Sequence, residues 1–148
     1  MRVVGIDLGD KRVGVAVSNS ERTIAVPTGV FLRKGNARKD LKALADEIDD
    51  YDPEVVVVGL PLSLSGGLSA QAKRIVAESK VIARFLVGRS VELFDERYSS
   101  KQAERYMRET GHSSKTMRGT SDAYAASIIL QAWLDNKAAG TPGPKDKG

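Results

Sequence analysis

The sequence predicts an α/β fold, a mixed five-stranded sheet with helices on both faces. Two observations carry that expectation. Three short β-branched runs open the chain with only turn-length connections between them, and the rest alternates helical periodicity with apolar strand-like runs. One run, Glu54-Val-Val-Val-Val-Gly-Leu60, shows no polar alternation, which is the pattern of a strand covered on both faces.

Arg2 to Leu8 is the first expected strand and Val13 to Ser18 the second, joined as a hairpin through Gly-Asp-Lys-Arg. Ile24 to Leu32 supplies the third. From Asn36 to about Tyr51, Leu41, Leu44, Ala45 and Ile48 recur at helical spacing, with Asn36 placed as an N-cap and Pro53 just beyond the end. The all-apolar strand Glu54 to Leu60 follows and lies centrally. Pro61 to Ser69, rich in Ser and Gly, is a loop at its C-terminal end, the edge where open α/β sheets meet their ligands. A helix from about Ser69 to Leu86 places Ala72, Ile75, Val76, Val81 to Ala83 and Leu86 on its apolar side. Ser90 to Phe94 forms the fifth strand. Two further helices are expected, Ser99 to about Thr110 and Ser121 to Ala138, the latter with Ala125, Ile128, Ile129, Ala132 and Trp133 as its stripe.

With 148 residues, 41% of them hydrophobic, the chain can bury one core and is too short for two ordinary domains. Residues 1–138 are expected to form that single domain, and the Pro- and Gly-rich residues 139–148 a disordered tail. A net charge of +4 and a pI near 9.4 suit a polyanionic partner without requiring one. The absence of cysteine excludes disulfides and thiolate metal sites. Any metal is then held by oxygen or by His112, and His112, in a Gly-His-Ser-Ser loop, reads as a surface residue. Oxygen ligands point to Mg2+ or Mn2+. No stretch approaches the roughly 20 apolar residues of a membrane span, and the apolar N-terminal stretch is too short for a signal sequence. The expectation is a cytoplasmic protein with no membrane partner.

Acids occupy three places with chemical use. Asp7 ends the first strand before Gly9, the Asp95-Glu96 pair ends the fifth, and Asp122 opens the last helix. Convergence of these carboxylates would make a divalent-metal site, in which hard cations roughly 3.5–4 Å apart activate water and neutralise a phosphate. Each acid taken alone also fits a turn or a helix cap. Lys11, Arg12 and Arg97 sit beside them and could hold a phosphate backbone or pair with carboxylates. The loop containing Lys115 and Arg118 would flank the same edge. Tyr98 and Tyr124 are expected to pack beside the core rather than stack on bases, and Phe94 and Trp133 to lie within it.

Four stretches in order, GIDLGDKRVGVAVS at residues 5–18, VVVGLPLSLSGGLSAQA at 56–72, FDERYSSKQAE at 94–104 and RGTSDAYAASIILQAWLD at 118–135, resemble the motifs of the YqgF/RuvX family. The resemblance runs from Val4 to about Asp135. It implies an RNase H-like fold and a metal-dependent nuclease, a hydrolase acting on ester bonds. Its catalytic positions would be Asp7, Asp95 or Glu96, and Asp122. Asp7, Glu96 and Asp122 would hold the metal, with Glu96 preferred over Asp95 although strand alternation at a fraying end leaves the choice open. Two positions depart from the family's pattern: Asn19 stands where members often carry Asp, and the Ser113 to Arg118 loop is less basic than usual.

The resemblance implies two substrates, precursor 16S rRNA trimmed at its 5′ end during ribosome biogenesis and a four-way DNA junction. The RNA is preferred. Junction resolution needs two paired cuts and suits a homodimer, whereas a monomer suits RNA trimming. A non-catalytic nucleic-acid-binding module of the ribosome or transcription machinery is the rival reading. Gly5-Ile-Asp-Leu-Gly9 also looks like the first phosphate motif of actin-like ATPases, but those enclose nucleotide between two such domains and this chain has room for one.

Overall fold

The computed structural model describes residues 2–63, 65–99 and 121–138. Its elements are β1 (Arg2–Leu8), β2 (Arg12–Ser18), β3 (Ala25–Leu32), α1 (Ala37–Asp49), β4 (Pro53–Leu60), α2 (Ala70–Phe85), β5 (Ser90–Asp95), a 3-10 turn (Glu96–Tyr98) and α3 (Ser121–Ala138). The five strands form one sheet in the order β3-β2-β1-β4-β5. β1 is antiparallel to β2, and β2 to β3, whereas β4 is parallel to both β1 and β5. The run Val56 to Val58 is fully buried between these neighbours, as its lack of alternation predicts.

Strand alternation divides the core into two layers. Val4, Ile6 and Leu8 of β1 join Val13, Val15 and Val17 of β2 beneath α1 and α2, where Leu41, Leu44, Ile48, Ile75 and Ile82 meet them. Val3, Ala16, Val57 and Phe94 face α3, against Ala126, Ile129, Leu130 and Trp133. Phe94 and Trp133 thus lie in the core as expected. Asn36 caps α1 by accepting from the Lys39 amide, and Ser69 caps α2 by accepting from Ala72. Such caps contribute about 1 kcal/mol each. Among the described residues no helix is long and apolar enough to cross a membrane.

Three expectations need correction. α3 is apolar around most of its circumference, so periodicity misplaces its buried face: Ala125 and Ile128 are half-buried, while Ala123, Ala126, Leu130 and Leu134 are buried beside Ile129, Ala132 and Trp133. In α2, Ala83 is exposed and Val76 half-buried, whereas Glu78 and Ser79 are buried. Ser99 is not helical but closes the 3-10 turn, and the rest of the helix expected to Thr110 lies outside the described residues, as does the tail. Asn19, the departure from the family's pattern, closes the β2–β3 turn by accepting from the Thr23 and Ile24 amides.

Candidate active site

Asp7 shares the α3 face of the sheet with Val3, and its cross-strand neighbour is Gly14. A Cβ on Gly14 would collide with the backbone carbonyl of Asp122, so the missing side chain lets the first turn of α3 lie directly on the hairpin. This close approach brings Asp122 beside Asp7 although 115 positions separate them in sequence. The Asp7 carboxyl is pushed above the ordinary carboxylate range, by burial first and then by the charge of Asp122.

Glu96 reaches the same place from β5. Phe94 faces α3 while Val91 and Leu93 pack toward α1 and α2, and Glu96 follows Phe94 in the alternation. A Cβ on Gly59 would come within 2.8 Å of the Glu96 Oε2, so β4 also opens space for this carboxylate. Burial, then the charges of Asp7 and Asp95, push the Glu96 pKa up to about 7.

Asp95 is differently placed. It is buried, accepts from the Arg97 amide at 2.9 Å and receives the Arg97 guanidinium at 2.6 Å. Burial alone would raise its pKa, yet the hydrogen bonds and charge of Arg97 bring it below the usual value. The fold therefore separates two adjacent acids, one into the space shared with Asp7 and one into an ion pair.

The basic residues are mostly committed within the protein. Arg12 Nε stands 2.8 Å from Asp122 Oδ2. Arg97, besides holding Asp95, donates to the Ser63 carbonyl at 3.3 Å and so ties the loop after β4 to the end of β5. Of the two roles the sequence leaves open for Arg12 and Arg97, phosphate contact or carboxylate pairing, the structure shows the carboxylate pairs. Lys11 is exposed at the hairpin tip. Tyr98 is 49% exposed with its ring 6.3 Å from that of Phe94, less enclosed than expected, and Tyr124 is half-buried. Lys115, Arg118 and His112 lie outside the described residues.

The sequence reading missed a charged cluster at the base of the hairpin, formed by Arg33, Asp40, Arg74 and Glu78. A signal was available, since Glu78 lies in helical register with buried Ile75 and Ile82. A charge on an apolar stripe requires a partner.

The donor chemistry of Asp7, Glu96 and Asp122 fits a hard divalent cation: all three offer carboxylate oxygen, and the first two are raised by burial among like charges that a cation would relieve. Their present placement is less closed. Among the described residues no three Asp, Glu or His side chains lie close enough together to hold one ion. Asp122 is engaged by Arg12.

Residues 1–136 match the family model described as RuvX, Holliday junction resolvase. A relative from Anaeromyxobacter dehalogenans (strain 2CP-C), provisionally named a pre-16S rRNA nuclease, is 44% identical over 140 residues, 93% of this chain and 99% of its own. A relative from Mycobacterium leprae (strain TN) carries the same name and is 36% identical over 146 residues, 99% of this chain and 79% of its own. Among solved structures, Thermus thermophilus RuvC in complex with a Holliday junction substrate superposes with a TM-score of 0.67 at 19% identity, covering 97% of this chain and 99% of that one. That likeness shows the fold, the RNase H-like architecture expected from the order of elements.

Proposed function

The chain belongs to the RuvX Holliday junction resolvase family, and on that premise we propose that it is a metal-dependent nuclease that hydrolyses phosphodiester bonds in precursor 16S rRNA. The observation that carries the reading is the gathering of Asp7, Glu96 and Asp122 on one face of the sheet, with Asp95 withdrawn from them. Ordinary structural caps would have no reason to bury Asp7 beside the charge of Asp122, or Glu96 beside the charge of Asp7.

Asp7, Glu96 and Asp122 hold Mg2+ or Mn2+ in this reading. The chemistry such a cation supplies is activation of water and neutralisation of charge at the phosphate. The protein's own residues bind and orient. Asp7 presents its carboxylate from the end of the central strand β1 and Glu96 from the turn that ends the edge strand β5, two fixed points for a site that tolerates little misplacement. Asp122 joins them when it leaves Arg12, which then faces the incoming phosphodiester. Lys11 attracts the backbone, and Arg97 keeps the loop after β4 against β5.

The names of the relatives favour precursor rRNA; in this reading the protein acts in the cytoplasm on the assembling ribosome, and a monomer suffices for single cuts. The description of the family model favours a four-way DNA junction, for which a homodimer would be needed. The discriminating experiment incubates wild-type and Asp7→Asn protein with a labelled 16S precursor and a labelled junction in parallel, with Mg2+ or Mn2+ and with chelator. Cleavage of the precursor that needs both metal and Asp7 is expected. Cleavage of the junction alone would move the substrate to DNA, and tight binding without cleavage would make the chain a non-catalytic module.

A further inference from the structure

The hairpin turn that follows Asp7 is held from below by two guanidinium groups. Arg33 Nη1 donates to the Gly9 carbonyl at 3.1 Å, and Arg74 Nη2 donates to the Leu8 carbonyl at 2.9 Å. Glu78 joins the two arginines: its Oε2 accepts from Arg33 Nη2 at 2.7 Å, and its Oε1 accepts from Arg33 Nη1 at 3.0 Å and from Arg74 Nη1 at 2.8 Å. Arg74 also lies 3.3 Å from the Asp10 carboxylate. Asp40, which receives the Lys34 and Gly35 amides, stands 3.9 Å from Arg33 and supplies a second buried negative charge. The Arg33 amide donates to the Lys11 carbonyl at 2.8 Å. The carbonyls of residues 8, 9 and 11 are thus all held by Arg33 or Arg74.

We propose that Arg33 and Arg74, locked together by Glu78, are positioning residues for Asp7: they fix the two carbonyls that follow it and so set the angle at which β1 delivers its carboxylate to the site. The inference rests on the reading of Asp7 as a metal ligand. Stability alone is a poor account of the cluster, because a buried ion pair recovers little more than its desolvation cost and apolar residues of similar volume do as well. The geometry of the contacts is more specific. Each arginine reaches a backbone carbonyl and a carboxylate at once, and the planar fork of a guanidinium fixes the geometry between them as the single nitrogen of an ammonium does not. The held carbonyls belong to the two residues immediately after Asp7. Residues that orient a metal ligand from behind affect metal affinity by about 10- to 100-fold when removed.

The test measures Mn2+ binding by electron paramagnetic resonance on wild-type, Asp7→Asn, Arg74→Gln and Arg74→Lys proteins, together with thermal midpoints and amide hydrogen exchange. Arg74 is the choice because it is partly exposed, unlike Arg33 and Glu78. Arg74→Gln is expected to weaken Mn2+ binding about 10-fold. Exchange should accelerate in residues 8–12 while α1 and β4 stay protected. Arg74→Lys keeps the charge and the helix but loses the two separated nitrogens that span Glu78 and the Leu8 carbonyl, so it should show the same loss even if Arg74→Gln folds poorly. Folded Arg74 variants that bind Mn2+ as wild type does would overturn the proposal and leave Asp7 as a ligand. Wild-type binding that is indifferent to Asp7→Asn would instead overturn the site reading, and this inference with it.

Discussion

Arg12 Nε stands 2.8 Å from Asp122 Oδ2, so the acid that the site needs is held by a cation that the sequence had offered to the substrate. The pair joins the hairpin tip to the start of α3, and both partners keep appreciable solvent exposure, Arg12 61% and Asp122 31%. An exposed pair of this kind contributes at most about 1 kcal/mol. It can therefore open when a cation or a phosphodiester arrives. Arg12→Ala is expected to strengthen Mn2+ binding up to about fivefold in the absence of nucleic acid, by removing the competitor for Asp122. Calorimetry checks this, and weaker binding would assign Arg12 a supporting role at the metal instead.

Lys11→Ala tests the neighbouring cation. Lys11 is exposed at the hairpin tip, so its loss should weaken nucleic-acid binding and reduce the slope of log affinity against log salt by about one counterion. An unchanged slope would move the substrate track away from the hairpin.

Gly14 and Gly59 make opposite demands. A methyl on Gly14 meets the Asp122 backbone, which cannot rotate aside, so Gly14→Ala should cost about 2–3 kcal/mol and shift α3. A methyl on Gly59 meets the end of the Ile129 side chain and the Glu96 carboxylate, which can yield, so about 1 kcal/mol is expected there. Denaturant titrations followed by the single tryptophan, Trp133 on α3, give both values. Equal costs would contradict the docking account.

Glu96 and Asp95 should respond to pH with opposite sign. The Glu96 pKa of about 7 in the folded protein exceeds its ordinary value of 4.5, so the folded state binds the proton more tightly. Without metal, stability then declines as pH rises from about 4.5 to about 7. Glu96→Gln removes that decline and should stabilise the chelated protein above pH 7 by about 1 kcal/mol, allowing for solvent screening at this half-exposed group. Asp95 has a lowered pKa, so its stabilisation is present above the ordinary value of 3.8 and lost as pH falls through and below it. Asp95→Asn should destabilise at neutral pH by weakening the Arg97 pair. Melting curves in chelator from pH 4 to 8 distinguish the two, and a stabilised Asp95→Asn would reverse the assignment of the adjacent acids.

The sheet was legible because its signals are local. β-branched runs and turns mark each strand, and Asn36 and Ser69 sit at their caps as their residue types require. The candidate acids were legible as positions but not as a cluster, since Asp7 meets Asp122 only through the missing side chain of Gly14. Whether Asp95 and Glu96 point to opposite faces turned on whether strand alternation survives to the end of β5. It does, because Asp95 is still paired with Leu60 of β4. The partners of Arg12, Arg33 and Arg74 were not legible: each guanidinium finds a carboxylate or carbonyl far off in sequence, and no periodicity reports such contacts. The buried face of α3 was misread because a helix apolar on nearly all sides carries no stripe to read.

The most direct test of the account is anomalous X-ray scattering from crystals of the wild-type protein soaked in Mn2+. The expected result is a peak coordinated by Asp7 and Glu96, with Asp122 turned from Arg12 to join them and Asp95 still paired with Arg97. A peak elsewhere, or no peak near Asp7 at saturating Mn2+, would contradict the metal centre and with it the assignment of this chain as a metal-dependent nuclease.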